Sequence, residues 1–293
     1  MPGDARRCDI CLWWKKSIVL PSLFKHGYQL MDTTLEHQDH AAVQYRGKVN
    51  IFSKQGERIE SGQSQVAEYY ISSTDSWGAI QTKFEYNEQF TSLFVLNGDA
   101  TLYALTNTET APENTIYRYH PDKNTWEVCG DAALSRWGAC GVTDGQCIYI
   151  MGGTRNETYV INGTTKVEKL SPSEVIWEEV AAMNEARHAA FGAAMNGKLF
   201  IAGGLQRNGQ ICTVLKTCEV YNPSTDEWQL IPNLNAPRHS ASMVSFKGTL
   251  YVVGGLKDQV KSRELSVEIL DFDENEWRKN QSYLSTMKSN LEE

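Results

Sequence analysis

Two short features recur along this sequence at one fixed interval, and that interval limits the folds open to the chain. The first is a single arginine, found at Arg136, Arg187 and Arg238. The second is a pair of glycines, found at 152–153, 203–204 and 254–255. Both features therefore repeat every 51 residues. Self-similarity at a fixed period of about 20 to 50 residues is typical of solenoids and propellers, so we expect a series of similar structural units.

Tryptophan continues the same interval beyond the arginines and glycines. Five of the eight tryptophans lie 49 or 51 residues apart, at Trp77, Trp126, Trp177, Trp228 and Trp277. Seven residues before each of them stands a large apolar residue, at Tyr70, Tyr119, Leu170, Tyr221 and Leu270. Turn-forming residues fill the gaps, as in the Asn222-Pro223 step after Tyr221. The spacing indicates five units of about 50 residues each.

Each unit has the pattern of four short strands, which is the strand density of an all-β repeat. In the unit from 187 to 237 we expect strands at 189–195, 198–202, 216–221 and 228–231, with a loop at 205–211. The step Asn196-Gly197 is a strong signal for the hairpin turn between the first two. A single four-stranded sheet cannot cover its own apolar faces, so the units must pack on one another. The pattern predicts a closed β-propeller whose Tyr and Trp pairs fill the space between neighbouring blades.

The order of these features resembles the kelch repeat, which has an arginine, a hairpin with glycine, an apolar strand, Gly-Gly, and a Tyr-x6-Trp turn. The resemblance extends well over residues 136–277. In residues 37–135 the Tyr and Trp remain, but Ser53-Lys54 and Thr106-Asn107 replace the glycine pairs. The resemblance implies an all-β, kelch-type β-propeller with five recognisable blades. We expect an N-terminal segment at 1–36, and then units at 37–86, 87–135, 136–186, 187–237 and 238–287.

The closure of the ring has two interpretations, because kelch propellers commonly have six blades. In the first, residues 8–31 and a strand near 284–289 form a composite sixth blade that joins the two termini. In the second, residues 1–36 are a remnant of another structure, and the propeller is five-bladed or incomplete. We favour the first interpretation, because residues 8–31 contain two apolar runs, although neither run has a landmark of the repeat.

The charge and the apolar pattern exclude several classes of partner. The chain has 28 Lys and Arg against 36 Asp and Glu, a formal net charge of −8 with a pI near 5.4. We therefore expect no nucleic-acid partner. The most apolar early stretch, 11–24, contains Lys15, Lys16 and Pro21, so it fits neither a membrane span nor a signal peptide. Seven scattered cysteines are typical of reduced thiols, and these features together predict a cytoplasmic protein.

The sequence contains only weak candidates for a metal site or a catalytic site. Cys8 and Cys11 are followed by His37 and His40, but 25 residues separate the two pairs, which is too many for a zinc finger. His188 and His239 occupy equivalent places after the repeat arginine, yet the third equivalent is Trp137, which cannot bind a metal. We find no nucleophile elbow, no metalloprotease motif and no phosphate-binding loop. We therefore predict no metal, no cofactor and no enzymatic activity.

The kelch resemblance places candidate binding residues at one end of the propeller, where peptide segments of protein partners dock in that family. These positions come directly after the repeat arginine or the glycine pair, and they are Trp137, Thr154, Arg155, His188, Leu205, Gln206, Arg207, His239, Leu256 and Lys257. This set contains cations and aromatic rings but no acid, so an acidic or phospho-acidic peptide motif is the expected ligand. We expect the repeat arginine itself to be structural, binding backbone carbonyls and carboxylates between blades.

The function that the resemblance implies is protein binding. The repeats are similar to the kelch half of BTB-kelch proteins, which present substrates to cullin-RING ubiquitin ligases. The expected role is therefore the substrate-recognition, or adaptor, part of such a ligase system. Two alternatives stay open at this point: a cytoskeletal, actin-associated scaffold, and a propeller enzyme, since kelch-like propellers also occur in enzymes.

Overall fold

The five repeating units correspond to five antiparallel sheets. The computed structural model describes residues 38–45, 48–54, 66–71, 73–74, 76–81, 90–98, 101–108, 113–120, 122–123, 125–134, 136, 138–154, 163–171, 174, 176–258, 262–264 and 266–279. Within these ranges the chain forms 22 strands and no helix. The described residues accordingly include no helix that is long and apolar enough to cross a membrane.

The first two sheets lie in the part of the chain where the glycine pairs are missing. Each sheet has four strands that pair in chain order. The first contains β1 (Gln38–Tyr45), β2 (Lys48–Lys54), β3 (Val66–Ile71) and β4 (Ser76–Gln81). The second contains β5 (Phe90–Gly98), β6 (Thr101–Thr108), β7 (Glu113–His120) and β8 (Thr125–Leu134). The regular spacing of Tyr and Trp along the chain is therefore enough to predict both sheets.

The last three sheets carry the complete repeat pattern. The third contains β9 (Cys140–Thr143), β10 (Ile148–Met151), β11 (Val167–Ser171) and β12 (Ile176–Val180). The fourth contains β13 (Phe191–Met195), β14 (Lys198–Ala202), β17 (Cys218–Asn222) and β18 (Glu227–Ile231). The fifth contains β19 (Ser242–Phe246), β20 (Thr249–Val253), β21 (Val267–Asp271) and β22 (Glu276–Lys279). The four expected strands of the unit 187–237 are confirmed, with ends that differ by two residues at most.

One element of the fourth unit differs from the sequence prediction. Residues 205–211 were expected to be a loop, but they contribute to a separate two-stranded hairpin of β15 (Leu205–Asn208) and β16 (Ile211–Val214). The loop prediction was wrong because Gly209-Gln210 forms a two-residue hairpin turn between two short strands, not a break in structure. Gly209 has a φ of 61°, the left-handed conformation that such turns require.

The sheets are arranged as the blades of a propeller. The first strand of each sheet lies against the first strand of the next, in the order β1, β5, β9, β13 and β19. The first strands are therefore innermost, and the fourth strands form the outer edges. This arrangement confirms the prediction of an all-β propeller with five recognisable blades. The segments expected to form a composite sixth blade, 8–31 and 284–289, lie outside the described residues, so the closure of the ring stays a prediction.

The hydrophobic core lies between neighbouring blades. Between the fourth and fifth blades, Phe191 and Phe200 pack with Leu250, Val252 and Trp277, all of them buried. An equivalent cluster joins the third and fourth blades, and it includes Tyr149, Met151, Leu199, Ile201 and Tyr221. Each blade therefore buries its faces only by stacking on the next one, as a repeat architecture requires.

The Tyr and Trp of each turn belong to this packing between blades. The rings of Tyr221 and Trp228 are 5.0 Å apart, and the Nε1–H of Trp228 donates to the carbonyl of Ala181, just beyond the third blade. Trp277 repeats the bond one blade later, with its Nε1–H 2.9 Å from the carbonyl oxygen of Pro232. The prediction that these pairs fill the space between blades is confirmed for the fourth and fifth blades.

Candidate functional site

The repeat arginine is a buried structural residue in all three complete blades. Arg136, Arg187 and Arg238 have relative exposures of 2%, 0% and 0%. In the fourth blade, Nη1 of Arg187 donates to the carbonyls of Gly203 and Thr217, at 2.8 and 3.1 Å. Nη2 donates to the Glu219 carboxylate at 2.7 Å. The guanidinium thus binds the end of β14 and the start of β17 together.

In the fourth and fifth blades, the carboxylate of the ion pair also holds the linker that arrives from the preceding blade. Glu219 accepts hydrogen bonds from the backbone N–H of Asn184 at 2.7 Å and of Glu185 at 3.2 Å. Glu268 does the same for Asn235 and Ala236. The expected contacts of the arginine with backbone carbonyls and a carboxylate are confirmed. They lie mainly within its own blade rather than between blades, apart from a 3.4 Å contact of Arg187 with Glu185 of the linker. The glutamate makes the link between blades instead.

The glycine pairs form a second link between blades, at the same end of the ring. The N–H of Gly204 donates to the carbonyl of Arg238 in the next blade, at 2.9 Å. A Cβ at Gly203 would lie only 2.3 Å from that same carbonyl oxygen. Gly203 has a φ of 59°, so the position requires glycine for both its conformation and its space.

The structure brings the candidates after the arginine together with the candidates after the glycine pair. His188 and Leu205 exchange two backbone hydrogen bonds, of 3.0 and 2.7 Å. His239 and Leu256 exchange two more, both of 2.9 Å. Both histidines and both leucines therefore lie at one end of the propeller, as the sequence predicted. Leu205 is 5% exposed, so its side chain packs in the interior and leaves little surface for a partner to contact.

The hairpin β15–β16 has an inner and an outer face. Side chains alternate along a strand, and directly opposite residues share a face. Leu205 pairs with Val214, and Arg207 pairs with Cys212. Because Leu205 is buried, these four residues form the inner face. The other face carries Gln206, Asn208, Ile211 and Thr213, among which Ile211 is 70% exposed.

Arg207 lies near His188, and His188 lies near His239, at this end of the propeller, and we call these three residues the basic corner. Burial lowers the pKa of His188, and the neighbouring side chains of His239 and Arg207 lower it further. Nδ1 of His188 is shielded from solvent and has no hydrogen-bond partner among the described residues. The imidazole is therefore neutral near pH 7, with two potentially cationic neighbours.

His239 is fixed more firmly than His188. It is 2% exposed, and burial lowers its pKa as well. Its Nε2 lies 3.1 Å from the carbonyl oxygen of Asp258, and its Nδ1 lies 3.1 Å from the hydroxyl of Ser240. Because a carbonyl can only accept, Nε2 donates, and Nδ1 of the neutral ring accepts from Ser240. The ring therefore has a defined tautomer and orientation.

Other candidates are placed less informatively. Thr154 and Leu256 are half-buried, and Lys257 is exposed. Trp137 and Arg155 lie outside the described residues, so their part in the site stays a prediction. The candidate set contains no acid, but an acid does lie beside it: the charge of Asp258, in the loop after Leu256, acts on His239. The cationic character of this end therefore centres on Arg207.

Sequence reasoning missed the residues that build the scaffold of the site. Glu168, Glu219 and Glu268 recur at intervals of 51 and 49 residues, so the period already contained the signal for the arginine's partner. The described residues contain no group of three or more His, Cys, Asp or Glu side chains that could hold a metal ion. The cysteines described, Cys140, Cys147, Cys212 and Cys218, are free thiols.

Comparison with known proteins agrees with this architecture. Residues 102–289 match the model of the KLHDC2/KLHL20/DRC7 Kelch-repeats domain. The chain is also similar in fold to the solved structure of YjhT, with a TM-score of 0.67, 12% sequence identity and coverage of 87% of each chain. At this identity the likeness concerns the fold alone.

Two human relatives show which proteins contain similar repeats. Influenza virus NS1A-binding protein of Homo sapiens is 32% identical over 141 residues, which are 45% of this chain and 21% of that protein. Kelch repeat and BTB domain-containing protein 12 of Homo sapiens is 26% identical over 180 residues, which are 56% of this chain and 29% of that protein. The similarity therefore spans less than a third of either relative.

Proposed function

This chain belongs to the kelch-repeat family, and from that premise we propose that it is the substrate-recognition part of a cullin-RING ubiquitin ligase system. Kelch-repeat relatives support its role as a protein-interaction module. In our proposal it holds a peptide segment of a protein partner at the end of the propeller that carries the basic corner. The observation that carries this proposal is the position of Arg207 on the hairpin that pairs with His188 at one end of the ring, with His239 in the equivalent place on the next blade.

The chemistry of this end favours an acidic peptide. A guanidinium binds carboxylates and phosphates through two parallel hydrogen bonds, which gives both affinity and orientation. Arg207 is half-buried on the inner face of the hairpin, where a bound carboxylate would be partly shielded from water. The remaining candidates Gln206 and Lys257 would add polar contacts at the edge of the same surface. The whole set fits an aspartate, a glutamate or a phosphorylated residue in an extended segment.

The ligase context rests on the relatives and on the resemblance, and it is the more distant part of the proposal. One relative combines kelch repeats with a BTB domain, as its name states. In BTB-kelch proteins the kelch half binds the substrate. We infer that this chain performs the same task, and that it does so in the cytoplasm.

The proposal can be tested by capturing partners from cells with and without inhibition of cullin activation. Binding proteins that accumulate under inhibition are candidate substrates of a ligase. Arg207→Glu should reduce their capture, because it places a negative charge opposite an acidic motif. Lys198→Glu is the matched control, since Lys198 is an exposed cation of the same blade at the opposite end of β14.

Two results would contradict the proposal. If Arg207→Glu and Lys198→Glu capture partners equally, the basic corner is not the binding surface. If partners are captured but none accumulates when cullins are inhibited, the ligase role is wrong. Co-sedimentation with actin filaments in that second case would support a cytoskeletal scaffold instead.

A further inference from the structure

The hairpin β15–β16 has a backbone edge that extends the proposed peptide site. This inference deepens the proposed function, on which it rests, by naming how the partner segment is held. Leu205 exchanges both of its backbone hydrogen bonds with His188 rather than with Val214. In an antiparallel strand the backbone groups of alternate residues point to the same edge. The N–H and C=O of Arg207 therefore point toward the edge on which His188 already pairs.

That edge is covered at Leu205 and open further along. The pairing of His188 with Leu205 is an isolated bridge that does not continue along this edge. Within the described part of the chain, no backbone group pairs with Arg207 on this side. An unpaired strand edge is a template for a further strand, and extended peptides bind many domains in this way.

We propose that an extended segment of the partner adds to the edge of β15 at Arg207, with an acidic side chain directly opposite the guanidinium. Directly opposite residues of paired strands have their side chains on the same face. The acidic residue would therefore lie on the inner face of the hairpin, with Arg207 beside it and His188 close by. The side chains before and after it would lie on the outer face, near Gln206 and Asn208.

Charge and geometry select this occupant together. Arg207 shares the inner face of the hairpin with Leu205, Cys212 and Val214, so a lysine of the partner at this place would meet a positive charge and be repelled. The backbone pairing gives affinity without regard to sequence, and the residue opposite Arg207 supplies the selectivity. The expected motif is thus one acidic residue in an otherwise extended, β-forming segment.

The experiment uses synthetic peptides of alternating Thr and Val with a single central residue, titrated against the full chain by fluorescence anisotropy. The central residue is Glu, Gln or Lys. We expect the Glu peptide to bind about tenfold more tightly than the Lys peptide. With Arg207→Glu the order should reverse, and with Arg207→Gln the two peptides should bind alike. Arg207→Gln also guards against a misfolded charge-reversed variant.

Backbone pairing is tested by N-methylation of the Glu peptide. A methyl group on the central amide faces the β15 edge at Arg207 and should abolish binding. A methyl group on either neighbouring amide faces away and should leave the affinity unchanged, which makes it the matched control. Equal effects of the two patterns, or no binding of the Glu peptide at about 1 mM, would overturn the added strand.

These outcomes are separate from those of the proposed function. If Arg207→Glu abolishes capture of partners from cells while the two N-methylation patterns act alike, the basic corner is the site and strand addition is wrong. If the peptide series behaves as expected but no captured partner depends on cullin activity, strand addition stands and the ligase role fails.

Discussion

Nη2 of Arg187 lies 2.7 Å from Oε1 of Glu219, and neither side chain is exposed to solvent. Equivalent pairs join Arg136 to Glu168 and Arg238 to Glu268. A buried ion pair of this kind does not by itself add much stability, because removing two charges from water is costly. Removing only one partner has a different effect, because the other partner then stays buried as a charge with no opposite charge beside it.

Glu219→Gln should therefore destabilise the propeller strongly. The change leaves the Arg187 guanidinium buried without an anion and weakens the hold on Asn184 and Glu185, at a cost of about 3–5 kcal/mol in the free energy of unfolding. Denaturant unfolding followed by tryptophan fluorescence measures it. The control is Glu179→Gln, which breaks an exposed pair with Lys166 and should cost at most about 0.5 kcal/mol. Equal losses for both variants would contradict this account of the pair.

Two glycines with nearly equal positive φ angles should respond very differently to substitution by alanine. Gly203 and Gly209 have φ values of 59° and 61°. A Cβ at Gly203 meets the Arg238 carbonyl oxygen at 2.3 Å, whereas a Cβ at Gly209 meets no atom within 4 Å. We expect Gly209→Ala to cost about 1 kcal/mol, for conformation alone, and Gly203→Ala to cost at least about 3 kcal/mol. Thermal and denaturant unfolding of the two variants would show the difference, and similar losses would refute the steric argument.

The stability of the chain should fall as the pH drops below neutral. Folding lowers the pKa values of His188 and His239 below the ordinary value of 6.5. The unfolded chain therefore takes up protons first, and their contribution to stability is lost as the pH falls from about 6.5 through the folded pKa values. Unfolding midpoints measured between about pH 7 and pH 5 should decrease, and His188→Asn with His239→Asn should flatten that decrease. An identical slope in the double variant would contradict the prediction.

Thiol labelling should separate two classes of cysteine. Burial raises the pKa of Cys140 and of Cys218 to about 12, so neither thiol ionises in the folded chain at moderately alkaline pH. Because the thiolate is the reactive form, a maleimide should leave both unmodified until the chain unfolds. Peptide mapping by mass spectrometry gives the measurement, with the half-buried Cys212 as the internal comparison. Early labelling of Cys140 or Cys218 would show that the core between the blades opens readily.

The sequence predicted the fold through residues whose spacing has a physical cause. The repeat arginines, the glycine pairs and Trp228 with Trp277 recur because each blade needs the same buried contacts. The first two blades were found although they lack the glycine pairs, since the Tyr and Trp turns alone carry the period. The paired positions of His188 with Leu205 and His239 with Leu256 also follow from the repeat.

Features that the period of the repeat does not mark could not be predicted from spacing. The hairpin β15–β16 lies between the landmarks of the repeat, so none of them marks it, and its strands are four residues each. Sequence reasoning did not identify Glu219 as the partner of Arg187, so the link from this carboxylate to the preceding linker was missed. The proximity of Asp258 to His239 depends on a loop conformation that spacing cannot give.

The different contacts of Arg187 and Glu219 have a consequence for how such a ring changes over evolution. The arginine binds strands of its own blade, while the glutamate of that blade binds the linker that arrives from the preceding blade. The fourth and fifth units thus each contain both residues, and a tandem duplication of such a unit copies both. A ring built from such units can gain or lose a blade without inventing new chemistry at the joint.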